Sequence, residues 1–132
     1  MTFRLDLFEA LQQQLATAGA VLYLGPLPQD GTGIGVTFYD VEPPSGSTDS
    51  VEGVQLMVRH DARNDARETL RLADAVFQIL HGQSVTDWAG IPVHHVWRNS
   101  SADLGPDESG RRIQSDNYYV RCSRTGAHLS DS

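Results

Sequence analysis

The chain has 132 residues, 39% of them hydrophobic and 20% charged, with a formal charge of −7; all ten basic residues are arginine. That length fits one domain around one ordinary core, and the composition excludes a disordered chain or one that is membrane-like throughout. An acidic balance without clustered cations also opposes binding to a nucleic-acid backbone.

No apolar run approaches the roughly 18 residues that a bilayer span needs. The first residues, Met1-Thr2-Phe3-Arg4-Leu5-Asp6, put an acid where a signal peptide has its apolar stretch. The expectation is an unprocessed protein made in the cytoplasm. A single cysteine, Cys122, rules out an internal disulfide and a cysteine-based zinc site.

Residues 3–18 predict an amphipathic helix, with Phe8, Leu11, Leu15 and Ala18 on one face and Leu5 a turn earlier. Thr2 fits an N-cap and Gly19 a left-handed stop. The apolar run 20–24 predicts a short strand, ended by Gly25 and two prolines. Ile34, Val36 and Phe38 alternate with small or polar residues, as in a half-buried strand. Residues 41–53, with Pro43, Pro44, Ser45, Gly46, Ser47, Thr48 and Asp49, have no apolar periodicity and predict a long loop.

Val54 to His60 predicts a strand with Val54, Leu56 and Val58 on one face. A helix follows, starting between Asp61 and Asp65, with Ala66, Leu70, Ala73, Phe77 and Leu80 as its apolar stripe and Leu72 and Val76 widening it. Its expected stop is Gly82. Ile91, Val93, His95 and Trp97 alternate against Pro92, His94 and Val96 with neither face clearly polar, which suits a strand that touches a second subunit. The last strand, 112–124, alternates Tyr118, Val120 and Cys122 against Asn117, Tyr119 and Arg121. The order α-β-β-β-α-β-β predicts an α+β fold: an antiparallel sheet of four to five strands with two helices packed on one face. The polar tail 125–132 completes a single predicted domain.

No constellation supports catalysis, a cofactor or a metal. His94 and His95 are neighbours on a strand and should point to opposite faces, so they do not converge on one ion. Asp103, Asp107 and Glu108 lack calcium-loop spacing, and Pro106 interrupts them. They read as a solvated hairpin loop or as ion-pair partners of Arg111 and Arg112. Gly31-Thr32-Gly33-Ile34-Gly35 has no Walker lysine, so it reads as a tight turn and strand start. Cys122 reads as a small buried hydrophobe.

Several pieces recur in a familiar order: Ala18-Gly19, the strand Val54–Arg59 before a long helix, Leu80-His81-Gly82, Gly90-Ile91-Pro92-Val93, Gly105-Pro106-Asp107-Glu108-Ser109-Gly110-Arg111, and Asn117-Tyr118. Together they resemble the tail terminator, or minor capsid, proteins of long-tailed bacteriophages. The 41–53 loop is longer and richer in Pro and Ser than that family suggests. The resemblance implies a structural virion protein assembled in the host cytoplasm. It would form a ring of about six copies that closes the head-proximal end of a tail tube, stops polymerisation and joins the tail to the head.

The implied partners are further copies of the chain, tail tube protein and head-tail connector proteins. DNA would pass through the lumen without specific binding, and no membrane is involved. The alternative is a head-completion or connector subunit on the portal side of the same joint. A third class, a small binding module or enzyme, would be a monomer with a defined pocket. Loop placement and the family-like Gly110-Arg111 nominate Arg59, Arg111 and Arg112, with Asp107 and Glu108, as subunit-interface ion pairs. Residues 43–49 are nominated as the partner-contact loop.

Overall fold

The computed structural model describes residues 2–44 and 49–124. In chain order the elements are α1 (Phe3–Gln14), β1 (Val21–Leu24), β2 (Gly33–Glu42), β3 (Asp49–Arg63), α2 (Arg67–Leu80), β4 (Ser84–Trp88), β5 (Ile91–Pro106) and β6 (Arg111–Ser123). The six strands form one sheet in the order β1-β2-β3-β6-β5-β4. The α+β class holds, with a larger sheet than predicted. The sheet is also mixed, because β1 pairs parallel with β2 while every other neighbour is antiparallel.

One face of the sheet is apolar. Val36 faces Leu56 across β2 and β3, and Phe38 faces Val54, which in turn faces Tyr118. Both helices close over that face, since Phe3, Leu7 and Leu11 of α1 join Leu72, Val76 and Leu80 of α2 in the same buried cluster. The expected face of α1 holds at Phe8, Leu11 and Leu15 and fails at Leu5, whereas the phase of α2 differs from the sequence expectation. In α1 the buried side carries Phe3, Leu7, Phe8, Ala10 and Leu11, which leaves Leu5 exposed on the far side. In α2 the buried stripe is Thr69, Leu72, Ala73, Val76 and Leu80. Leu70 is 54% exposed and Phe77 half-buried. At roughly 100° per residue both sit about a quarter-turn round from the buried stripe.

Three further expectations change. The 41–53 loop shrinks, because β2 runs to Glu42 and β3 begins at Asp49, with Glu42 paired to Val51 across a bulge. Pro43 and Pro44 are exposed in the connection, and Ser45, Gly46, Ser47 and Thr48 lie outside the described residues. Ser84–Trp88, assigned to no element from sequence, forms β4. In β5 a bulge shifts the register between Val93 and His95. That extra residue flips the parity, so Val96 is buried while His95 and Trp97 leave the core face.

Helix ends follow local chemistry. Thr2 precedes α1 in an extended conformation but makes no side-chain cap bond. Asp65 accepts a hydrogen bond from the Arg67 amide at 3.0 Å, supplying the capping contact at the start of α2. After α2 the chain turns at Gly82, whose φ of +87° suits glycine.

Candidate functional site

Two ionic hubs and two uncovered surfaces are the features with chemical potential. The first hub sits where the strap 25–32, the end of β3 and the β5–β6 turn meet. The strap crosses β2 closely: a Cβ on Gly35 would lie 2.8 Å from the Gly25 carbonyl, so only glycine fits there. Arg59 fastens the strap by donating to the carbonyls of Pro28 at 2.8 Å and Gly31 at 2.9 Å.

Arg111 completes the hub. It donates to Asp107 at 3.1 Å, Asp61 at 3.0 Å, Asp30 at 2.9 Å and the Gln29 carbonyl at 3.1 Å. Only 2% of its side chain is exposed. The Arg111 guanidinium holds the Asp61 carboxyl below the usual range, and the Arg111 backbone amide does the same for Asp107. The surrounding acids, Asp30 first, push the Arg111 pKa up in return. Nearby, Arg112 pairs with Asp103, whose carboxyl is lowered first by the Gly105 amide and then by Arg112. Glu108 is exposed.

The residues nominated as subunit contacts therefore divide. Arg59 and Arg111 are buried inside the chain and occupied there, because a guanidinium that spends its donors internally has few left for a neighbour. Glu108 and Arg112 stay at the surface. Asp49 is the first residue of β3, and its carboxylate accepts a hydrogen bond from Ser123.

The second hub was not anticipated. Glu52 and Asp40 are cross-strand partners on β3 and β2, two like charges side by side. Arg4 of α1 bridges them and Arg124, just past β6, donates to Glu52 at 2.9 Å. Glu52 and Arg124 are each 2% exposed at the side chain. A sequence signal existed: Glu52 has the same strand parity as Val54, Leu56 and Val58, a core position that demands a buried cation.

On the helix-free face an aromatic row crosses four strands. The Tyr39 ring lies over Gly53, which pairs with Tyr119, which pairs with Trp97; Trp97 meets Tyr119 edge-on at 5.5 Å and stacks on His95 at 5.0 Å. The other uncovered surface lies beside α2, where Leu70 flanks a cleft lined also by Ala66, Asp103 and Ile113.

Among the described residues the His94, Ser123 and Asp49 side chains come together, but not in the order of a nucleophilic triad. His94 contacts Ser123 at 2.6 Å, and Ser123 donates to Asp49, so the serine and not the histidine sits in the middle. A nucleophilic triad needs the histidine there. Burial pushes the Cys122 thiol up to about 12. Among the described residues no group of three or more His, Cys, Asp or Glu is placed to hold a metal ion, and no helix is long and apolar enough to cross a membrane.

Comparison with known proteins gives a family match and several structural likenesses. The family model described as bacteriophage tail terminator protein matches residues 11–124. No curated protein matches. Among seven matching chains of solved structures is one from the virion of a native gene transfer agent particle, with a TM-score of 0.64 at 15% identity, covering 92% of this chain and 95% of that one. At that identity the likeness shows the fold.

Proposed function

Because the chain belongs to the bacteriophage tail terminator family, we propose that this structural virion protein forms a hexameric ring at the head-proximal end of the tail tube. The ring stops tube polymerisation and joins the tail to the head. The single observation that carries this reading is the family match over residues 11–124.

Physical logic supports it. A tube end is a repeating template, and adding another ring stays favourable until a non-identical ring occupies that end. Such a subunit works through its surfaces, and a heterologous contact that closes by rotation makes a ring. Its partners in this reading are further copies of itself, tail tube protein and the connector proteins of the head. DNA crosses the lumen without specific binding, since a chain of formal charge −7 is repelled by a phosphate backbone overall. The surface residues Glu108 and Arg112, with the connection 43–49, are proposed contacts to neighbours.

The test is removal of the gene from its virus. Overlong tubes and filled heads without tails are the expected result. Normal-length tails beside heads that leak DNA would support the portal-side connector reading instead.

A further inference from the structure

Helix α2 carries more apolar surface than its own subunit covers. Its inner stripe is buried, but Leu70, on the flank beside Ala66, is 54% exposed. Next to it runs the lower half of β5. The pairing of β4 with β5 spans only Ile91 to His95. From residue 99 to residue 104 every β5 residue is exposed, and among the described residues no strand pairs with that outer side. Leu104 there is also 54% exposed. A free strand edge beside a helix that presents an uncovered leucine has the form that receives one more strand. Backbone hydrogen bonds run along the edge, and alternate side chains pack on the helix.

The chain owns a second free edge at the opposite end of the sheet. In β1, Val21 is 59% exposed and Leu24 54%. The strand Val21–Leu24 contains no charge and no proline, so apart from its shortness it lacks the usual protection against pairing. Strand polarity makes the two edges compatible. β1 is parallel to β2, β2 antiparallel to β3, β3 to β6, and β6 to β5. β1 and β5 therefore run in opposite directions. When copies are related by rotation about an axis along the strands, β1 of one meets β5 of the next as an antiparallel pair, the more stable kind.

We propose that β1 of one copy adds to the free edge of β5, residues 99–104, in the next copy, with Leu24, which shares the face of the buried Leu22, covering the Ala66–Leu70 flank of α2. The contact is heterologous, so each added copy leaves one edge of each kind open until a ring closes. The inference rests on the ring reading above and supplies its contact surface.

The test begins with the mass of the intact wild-type protein by native mass spectrometry. Leu24→Cys and Leu70→Cys are then combined in one chain and treated with a short bis-maleimide; the native Cys122 is buried and stays silent. The expected result is a covalent ladder that ends at the ring mass, with each single variant remaining uncrosslinked. A Leu70→Glu variant should raise the concentration for half-assembly about tenfold or more, while the melting temperature of the subunit stays the same. Ring mass with no ladder overturns this surface and leaves the ring reading standing. Dimers from Leu24→Cys alone overturn it in favour of a two-fold β1–β1 contact. A wild-type protein that stays monomeric at every concentration overturns both readings.

Discussion

The two ionic hubs invert each other. Around Arg111 one buried cation gathers three carboxylates, and two of these, Asp30 and Asp61, keep 75% and 58% of their side chains in water. Around Glu52 one buried anion gathers two arginines, and one of these, Arg124, is itself buried. The first hub ties a surface strap to the foot of the sheet. The second ties α1 and Arg124, just past β6, to β3 inside the core. Where partners remain hydrated, loss of one ion returns the others to water at little cost. Where both partners are dry, loss of one leaves the other a buried charge without that counterion. The same side-chain chemistry thus gives a local fastening in one place and a global one in the other.

The largest effect should come from the dry hub. Glu52→Gln leaves Arg124 charged in the core and should cost about 3–5 kcal/mol of unfolding free energy in urea titration. Replacing the pair together, with Glu52→Leu and Arg124→Met, should recover most of that loss, because a well-packed apolar pair carries no desolvation penalty. A double variant as unstable as the single would show that the hub acts through Arg4 and Asp40 instead.

A site without charge calibrates this scale. Leu80 is 1% exposed on the inner stripe of α2, and Leu80→Ala should cost about 2–5 kcal/mol. Leu70→Ala, on the outer flank, should stay within about 0.5 kcal/mol of the wild-type subunit. Equal losses at the two positions would put the helix back in the phase expected from sequence.

Arg111→Met should do less to global stability than Glu52→Gln. Its acids are partly hydrated, and its main task is to hold the strap. The expected signature is faster amide hydrogen exchange across residues 25–32, with protection in β3 and β6 near wild-type values. Uniform loss of protection through the sheet would mean that this hub, too, is global.

How far the sequence could be read follows the same division between local and non-local causes. Strand alternation is local, so Val54, Leu56, Val58, Tyr118 and Val120 were placed on the core face correctly. The stop of α2 at Gly82 was legible because left-handed backbone has a chemical signature. The phase of α2 was not, since its apolar residues span both a buried and an uncovered stripe and only the packing partner distinguishes them. The β5 bulge hid for a similar reason: one extra residue moved Trp97 off the core face, and nothing in Ile91–Trp97 announces the shift. Short β4, with four exposed residues, has no amphipathic pattern to read. The pairing of Arg111 with Asp107, four residues away, was legible, but its burial was not, because its other partners, Asp30 and Asp61, are distant in sequence, as is Glu52 from Arg124.

The smallest effect is a pH dependence confined to the Arg111 hub. Asp61 and Asp107 have folded-state pKa values below the ordinary carboxylate range, held there by the Arg111 guanidinium and the Arg111 amide respectively. In that window the unfolded chain binds more protons than the folded one, so acid favours unfolding. The stabilisation is complete above the ordinary carboxylate pKa of about 4 and is lost as pH falls through the lowered values. Strap protection factors in the wild type, measured against the intrinsic exchange rate at each pH, should therefore fall below about pH 4. Arg111→Met raises the Asp61 carboxyl toward its unfolded value, so strap protection that is already lower at pH 7 should change less between pH 5 and the acid limit. A pH slope as steep in the variant as in the wild type would assign the acid response to Asp65 instead. That carboxyl is lowered to about 2 chiefly by the Arg67 side chain, at the start of α2.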